Sequence, residues 1–252
     1  MGEVWNTGTY ERLAALFSPV HDRLVEALHV EAGERFLDLA TGTGAVAIRA
    51  AAAGAEVTGL DLAEPMLVKA RAAALDAGVE IRFDHGNVEH LPYEDGAFDV
   101  VASSFGLVFA LDHANVADEL RRVTRQGGRI GFTGWRPNRR LGELYGRFTD
   151  EPLEGREAYE WGREEHVEDM LAEDFELDFE DGTLYLDAGS AEEIWELFST
   201  SAPPVLALLR RLDAVRAEEF HRAFVELYEG YTTPEGGIRA PRRYLLVLGT
   251  RR

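Results

Sequence analysis

Two aspartates and two glycines are spaced in this chain as a nucleotide site requires. The run FLDLATGTGAVAIRA, residues 36–50, is an apolar segment that contains Asp38, turns through Gly42 and Gly44, and becomes alanine-rich. A turn that leads from a strand into a helix points backbone N–H groups and the positive helix end at a ligand, and glycine permits close approach. Asp61 follows about 20 residues later, where a carboxylate can accept hydrogen bonds from both ribose hydroxyls. We therefore expect a ligand that contains a nucleoside.

The glycine spacing alone leaves the cofactor open. The GxGxxA pattern, with Ala47 last, also satisfies the dinucleotide fingerprint, so an NAD(P)-dependent oxidoreductase is one alternative. Asp38 favours a different ligand, because a carboxylate just before the turn opposes a pyrophosphate and suits a cationic group. The plainer interpretation of Asp38 is a strand-end residue that binds the amides of the loop.

Alternating strand and helix patterns must position these residues. After two helical pieces in residues 11–29, the pattern predicts strands at 36–40, 56–61, 80–85, 98–103 and 129–135, and helices at 45–53, 65–77 and 115–125. Strands separated by helices of this length indicate βαβ units and a doubly wound α/β sheet.

The regularity ends after Trp135. The pattern there predicts a helix at 164–173, two strands at 176–181 and 183–187, two helices in 191–230 divided at Pro203 and Pro204, and a last strand at 243–250. We expect residues 1–135 to hold the N-terminal helices and the nucleotide-binding core. Residues 136–252 are expected to complete the sheet and to add an insertion over the site, within one structural domain.

Composition excludes several classes of function. The net charge of −20, with 46 acidic and 26 basic residues, repels phosphate backbones, so we expect no nucleic-acid partner. The absence of cysteine excludes disulfides, thiolate nucleophiles and cysteine-bound metals. Since no run approaches the roughly 18 apolar residues of a membrane span, we expect a cytoplasmic protein, as a monomer or homodimer.

Four sequence blocks carry a resemblance to a known family. They are LDLATGTG, GLDLAEPML, HGNVEHLPYEDGAFDVVASSFGLVFALD and ELRRVTRQGGRIGFTGW, all within residues 36–135. In this order and spacing they resemble the motifs of class I S-adenosylmethionine-dependent methyltransferases, especially the quinone-biosynthesis-like small-molecule group. The resemblance implies a Rossmann-like, mostly parallel seven-stranded sheet with an antiparallel last strand and an α-rich insertion. It also implies S-adenosylmethionine as cofactor, S-adenosylhomocysteine as product, and a small-molecule acceptor whose oxygen, nitrogen or carbon receives the methyl group.

The same resemblance implies roles for single residues of the glycine turn. Asp38 and the backbone at Ala40, Gly42 and Gly44 would hold the methionine part of the cofactor, and Asp61 would take the ribose hydroxyls. A non-catalytic alternative is a methyltransferase fold that serves as a binding module.

Further along, Leu62 and Met66 would pack on the adenine. Asn87 stands where the family usually has an aspartate that reaches the adenine amino group, and the Val88 N–H would face a ring nitrogen. An asparagine carbonyl can still accept that hydrogen bond. The substrate and the sulfonium would meet after the fourth strand, at Ser103, Ser104 and Phe105.

Methyl transfer by in-line displacement needs alignment and the exclusion of water, and for some acceptors a general base. His113, after the fourth strand, and His21, in the N-terminal helices, are the candidates for that base. Their plainer interpretations are helix-start packing for His113 and a solvent-facing position for His21. We expect no metal, because the fourth strand ends in Ser103 and Ser104 rather than in a carboxylate.

Aromatic residues could enclose the acceptor. Trp5, Tyr10 and Phe17 could form a lid over the sulfonium through cation–π contact. Further aromatic residues lie in the second part of the chain. We expect most of them to form core, and the others could line a partly apolar acceptor pocket. They are Tyr145, Phe148, Tyr159, Trp161, Trp195, Phe198, Phe224, Tyr228 and Tyr231.

Overall fold

The computed structural model describes residues 10–149 and 157–252 of the chain. The first helices are α1 (Tyr10–Leu16) and α2 (Ser18–Ala27). Strands and helices then alternate as β1 (Arg35–Leu39), α3 (Ala45–Ala52), β2 (Glu56–Asp61), α4 (Glu64–Ala77), β3 (Ile81–His85), β4 (Phe98–Ser104), α5 (His113–Val123) and β5 (Thr124–Trp135).

The second part of the chain contributes two strands and five longer helices among the described residues. They are α6 (Arg139–Gly146), α7 (Glu164–Leu171), β6 (Phe175–Ala188), α8 (Ala191–Ser201), α9 (Pro203–Arg211), α10 (Ala214–Glu229) and β7 (Ile238–Arg251). Short 3-10 helices lie at Leu107–Phe109 and Glu157–Gly162.

All seven strands form one sheet in the order β3-β2-β1-β4-β5-β7-β6. The pairs from β3 to β5 are parallel, and β7 runs antiparallel to both β5 and β6. This confirms the expected fold class, including the antiparallel last strand. The strand order reverses between β1 and β4, and ligands of such sheets bind at the carboxyl ends of the strands beside that point.

Two apolar layers cover the sheet. Alternate residues of each strand point to opposite faces, so Val100 and Ala102 pack with α2 and α3, whereas Val101 and Phe132 pack with α5 and α7. The first of these layers is here called the α2 face and the second the α5 face. A third cluster joins α1, α6, α8, α9 and α10 into a helical cap.

The helical cap rests on an extension of the sheet. The β5–β7 pairing ends at Trp135 and Tyr244, but β6 and β7 continue to pair as far as Ala188 and Ile238. This two-stranded extension therefore rises beyond the carboxyl end of β5, and Leu186, Ile238 and Ala240 on it pack in the cap cluster. The helical cap thus stands above the edge where a ligand is expected.

The structure differs from the predicted elements at several points. Residues 176–187 form one strand rather than two, because Gly182 continues the ladder opposite Tyr244 and leaves room for that tyrosine ring. Residues 191–230 form three helices rather than two, since Asp213 accepts a hydrogen bond from the Arg216 N–H and so starts α10. The helix predicted to reach residue 125 ends at Val123, and β5 begins at Thr124.

No helix in the described ranges has the length and apolarity needed to cross a membrane.

Candidate cofactor and acceptor site

The turn between β1 and α3 has the backbone conformation of a ligand cradle. Ala40, Gly42 and Gly44 have φ values of +51°, +56° and +82°, in the left-handed region that glycine adopts at little cost. A Cβ added at Gly42 would meet no atom within 4 Å, so open space lies in front of this residue. The same atom at Gly44 would lie 3.2 Å from the Ala70 Cβ, which keeps α3 close to α4. The turn is therefore open toward a ligand at Gly42 and tightly packed at Gly44.

Asp38 lies beneath the turn, and its side chain is 1% exposed. Its Oδ2 accepts hydrogen bonds from the Thr41 hydroxyl at 2.6 Å and from the Ala47 N–H at 3.0 Å. Burial raises the pKa of the Asp38 carboxyl to about 7, although both hydrogen bonds oppose this shift. Asp38 thus organises the loop through these hydrogen bonds, in agreement with the plainer interpretation. A cation bound nearby would favour its ionised form.

Asp61 ends β2 on the other side of the turn and is 9% exposed. Its Oδ2 accepts from the Gly42 N–H and its Oδ1 from the Ala63 N–H, both at 2.8 Å. Burial raises the pKa of this carboxyl, and the backbone hydrogen bonds work against that shift. Each oxygen of a carboxylate has two lone pairs, so Asp61 can hold the turn and still accept further hydrogen bonds.

The cradle fits the cofactor that the sequence motifs imply. Open space at Gly42 lies against Asp61, which retains the acceptor capacity that ribose hydroxyls need. Asp38, 1% exposed and beneath the same turn, adds a carboxyl group suited to a cationic ligand.

The residues expected at the adenine lie beyond β2 and β3. Leu62 is 47% exposed and offers apolar surface, whereas Met66 is 1% exposed. The Asn87 Oδ1 accepts from the Glu89 N–H at 3.0 Å, and its Nδ2 lies 3.3 Å from the Glu89 Oε2. Val88 is half-buried against the α5 face. Glu89 therefore orients the Asn87 amide, a second contact that the sequence motif did not reveal.

The end of β4 is tied to both neighbouring strands. The Ser103 hydroxyl, fully buried, donates to the Leu39 carbonyl oxygen at 2.8 Å. The Ser104 Oγ lies 3.4 Å from the Thr133 Oγ1. Phe105 has a φ of +55°, which is strained for a bulky residue, and its N–H donates to the Thr133 Oγ1 at 3.1 Å. Such strain persists only where the surroundings hold it, and it fixes the direction of the Phe105 ring.

That ring belongs to an aromatic platform formed by Phe17, Phe105 and Trp135. The Phe105 and Trp135 rings stack with centroids 3.8 Å apart and planes at 6°, and Phe17 lies 5.3 and 5.6 Å from them. The guanidinium of Arg242 lies over the Trp135 ring, 4.9 Å from its centroid. Of the proposed lid residues, Trp5 lies outside the described residues, as does the side chain of Tyr10. The platform thus joins α2 to the ends of β4 and β5.

His21 lies beside this platform on α2. Its ring centroid is 6.4 Å from that of Phe17, and the residue is 7% exposed, so the solvent-facing interpretation is wrong. Burial lowers the pKa of His21 to about 4, with a further contribution from the nearby Arg49. The imidazole is therefore neutral at pH 7 and able to accept a proton.

His113 lies on the opposite side of the sheet. It begins α5, where Asp112 caps the helix, and its Nδ1 is 2.9 Å from the Nε2 of His166. Its ring is 5.0 Å from Trp161, which packs on Phe132 of the α5 face. The His113 Nε2 is buried without a hydrogen-bond partner among the described residues. The structure therefore does not bring His21 and His113 together, and it gives each a different neighbourhood.

Sequence reasoning missed two residues of these neighbourhoods. His166 lies 53 positions from His113 in an acidic helix, and no local pattern links them. Arg242 lies within the last strand, which begins at Ile238 rather than at the predicted residue 243. Within the described ranges, no cluster of three or more His, Cys, Asp or Glu could hold a metal ion.

Most of the aromatic residues in the second part of the chain are core. Phe148, Phe198, Phe224 and Tyr228 are buried in the helical cap, and Trp161 is buried under the α5 face. Tyr145, Tyr159, Trp195 and Tyr231 keep some exposure.

Comparison with known proteins agrees with this architecture. A family model described as a methyltransferase domain matches residues 36–128, which run from β1 into β5. A solved structure of a putative methyltransferase from Bacillus halodurans superposes with a TM-score of 0.64 at 20% identity, covering 91% of this chain and 97% of that one. This likeness shows the fold.

Two sequence relatives extend the comparison. An uncharacterised protein of Mycobacterium tuberculosis is 34% identical over 217 residues, which are 83% of this chain and 79% of the relative. A demethylmenaquinone methyltransferase of Thermus thermophilus is 44% identical over 110 residues, 43% of this chain and 50% of that enzyme. Three findings agree: the matched methyltransferase domain, the strand order of the sheet, and a relative that aligns with 83% of this chain. The chain belongs to the S-adenosylmethionine-dependent methyltransferases.

Proposed function

We propose that the protein transfers a methyl group from S-adenosylmethionine to a small acceptor held between the glycine turn and the aromatic platform. The observation that carries this proposal is the open turn at Gly42 between two buried carboxyl groups, Asp38 and Asp61. The cofactor supplies an electrophilic methyl on a sulfonium, and the protein has to align the acceptor with it and exclude water.

The residues divide this work between two sides of the site. Asp61 and the turn amides hold the ribose, and Asp38 adds negative charge near the cationic methionine part. Phe105, fixed by strain and stacking, presents an aromatic wall at the end of β4. Aromatic faces attract cations, so this wall also suits a sulfonium.

His21 is the residue we propose as general base where the acceptor must lose a proton. It lies next to the platform, and its imidazole is neutral at pH 7 because burial lowers its pKa. His113 is the alternative base, but its Nδ1 already faces His166. The acceptor itself is proposed to be a small, partly apolar molecule, since the walls around the platform are aromatic.

A binding and turnover experiment tests the function. Calorimetric titration of the protein with S-adenosylmethionine and, separately, with NADH should give saturable binding of the first only, because the buried Asp38 carboxyl group beneath the turn disfavours a pyrophosphate there. A panel of small-molecule acceptors is then screened for formation of S-adenosylhomocysteine. Preferred binding of NADH would favour the oxidoreductase, and tight cofactor binding without turnover across the panel would favour a binding module.

A further inference from the structure

Arg242 differs from the arginines on either side of it along β7. Arg239 pairs with Asp187 at 3.4 Å, and Arg243 pairs with Asp181 at 3.1 Å. Arg242, in contrast, has no carboxylate partner among the described residues, although it is partly buried. A charge removed from water without a counter-ion is costly, so such a position calls for an explanation.

The surroundings of Arg242 are aromatic and phenolic. Its guanidinium lies over Trp135, and the hydroxyls of Tyr145, Tyr159 and Tyr228 are close enough to interact with its charge. Cation–π contact offsets part of the loss of water but supplies no negative charge. These neighbours come from β5, α6, the 3-10 helix Glu157–Gly162 and α10, so the arginine lies where the sheet meets the helical cap.

Tyr228 supplies a second, independent observation. It is 2% exposed, and its buried hydroxyl faces the Arg242 guanidinium, which can only donate, so its O–H has no acceptor among the described residues. A buried O–H donor without an acceptor is destabilising. An orphan donor therefore lies beside a guanidinium that lacks a counter-ion, and one acidic group would satisfy both.

The position of the pair links it to the methyl acceptor. Arg242 and Tyr244 are two residues apart on a strand, so their side chains share a face, and the Tyr244 ring lies 5.9 Å from Phe105. Phe105 follows β4 at the edge that holds the glycine turn. A group bound at Arg242 is consequently on the platform side of the cofactor cradle.

We propose that Arg242 and the Tyr228 hydroxyl bind an acidic group, a carboxylate or a phosphate, on the methyl acceptor. This inference rests on the proposed function, because it assigns the chemical class of the acceptor at that site. In a chain of net charge −20, one unpaired arginine at the end of an aromatic wall would select acids that the rest of the surface repels. The aromatic ring of such an acceptor would lie on the platform while the arginine holds its acidic end.

The test measures ligand affinity of the protein loaded with S-adenosylhomocysteine. Benzoate, phenyl phosphate and benzyl alcohol serve as probes that share a ring and differ in charge. We expect at least one of the two acids to bind about tenfold more tightly than the alcohol, and the preferred acid to tell a carboxylate from a phosphate. Arg242→Gln should remove this preference, whereas Arg239→Gln, on the same strand and also stacked on a ring at 4.4 Å, should keep it.

Three results would overturn the inference: equal affinity for acids and alcohol, no binding of either acid, or an unchanged acid preference in Arg242→Gln. If Arg242→Gln does not fold, Tyr228→Phe provides the second test, since it removes only a hydroxyl whose O–H has no acceptor among the described residues. It should leave the thermal midpoint unchanged or higher and weaken the preferred acid several-fold. Binding of S-adenosylhomocysteine is measured separately for the wild type and each variant. If the wild type does not bind S-adenosylhomocysteine, the proposed function fails, whereas loss of acid binding alone overturns only the acid site.

Discussion

The glycine turn and the aromatic platform differ in how their buried polar groups are paired. At the glycine turn, Asp38 and Asp61 are each held by two hydrogen bonds from residues of the turn and its flanks. Around the aromatic platform, the Tyr228 O–H has no acceptor and the Arg242 guanidinium has no carboxylate partner in the described part of the chain. The buried carboxyl groups of the turn have hydrogen-bond partners before a ligand binds, whereas these buried polar groups near the platform lack theirs among the described residues.

This difference suggests how the two sides divide their tasks. A cradle whose donors and acceptors are already oriented binds one fixed cofactor with little reorganisation. Unpaired polar groups in an aromatic setting give selectivity instead, because a ligand that lacks the complementary group leaves them unsatisfied. We infer that the turn serves the shared cofactor and that the platform determines which acceptor reacts.

The largest expected effect separates the two histidines. His21→Ala should slow turnover of the acceptor found by screening about 100-fold or more, the usual contribution of a general base, because it removes the neutral imidazole beside Phe17. His113→Ala should change the rate far less, since His113 contacts His166 on the α5 face. Steady-state kinetics with both variants, together with their affinity for S-adenosylhomocysteine, make the comparison.

The pH profile strengthens this test. Since the pKa of His21 is lowered to about 4, the wild-type rate should persist on acidification and fall only as the imidazole becomes protonated near that value. A loss of rate in His113→Ala with wild-type rates in His21→Ala would reverse the assignment and place the acceptor on the α5 face.

The next effect concerns Asp38 and the pH dependence of folding. Its pKa is raised from 3.8 to about 7 by burial, so the folded protein binds the proton more tightly than the unfolded chain does. The contribution of Asp38 to stability is therefore full below pH 4 and is lost as the pH rises toward about 7. The loss is at most about 4 kcal/mol, because each pKa unit corresponds to about 1.4 kcal/mol.

Urea unfolding at a series of pH values between the two pKa values measures this contribution. Asp38→Asn should lack the pH-dependent component, and Asp76→Asn, at an exposed position of α4, should retain it. Parallel profiles for wild type and Asp38→Asn would mean that Asp38 is not buried as described, and the contrast between the two sides would weaken.

The sequence predicted the glycine turn better than the aromatic platform, for a physical reason. The bounds of β2 and the turn between β1 and α3 follow from short apolar runs and glycines, which are local signals. The positions of Asp38 and Asp61 beside that turn are predictable because they are close to it along the chain, and the structure places both there. Gly182 shows the limit of such local signals. The glycine predicts a break between two strands, but its actual role is to leave room for the Tyr244 ring within one strand.

The aromatic platform and its neighbours are assembled from residues distant in the sequence. Arg242 and Tyr228 meet Trp135 only because β7 pairs with β5 and α10 packs in the helical cap. His113 and His166 likewise meet only through the packing of α5 against α7. No periodicity or spacing in the sequence predicts these contacts. Some of the residues could therefore be predicted from the sequence, but their partners could not.

The smallest expected effect tests whether Asp61 both shapes the turn and binds the cofactor. Asp61→Ala removes the acceptor of the Gly42 and Ala63 N–H groups and of the proposed ribose hydroxyls. Calorimetric affinity for S-adenosylhomocysteine should fall by about 1–3 kcal/mol, the scale of hydrogen bonds to a charged group. The affinity of Asp61→Asn should fall by less, because the amide keeps one acceptor oxygen but turns an N–H₂ toward a backbone N–H.

Comparison of these two variants shows how complete the cofactor side is before binding. If Asp61 acts mainly on the turn, both variants should lose stability as well as affinity, and Asp61→Asn should recover part of each. If it acts mainly on the ribose, affinity should fall while the unfolding midpoint stays close to that of wild type. Unchanged affinity in Asp61→Ala would remove Asp61 from the cofactor site, and the turn amides would then have to hold the ligand without it.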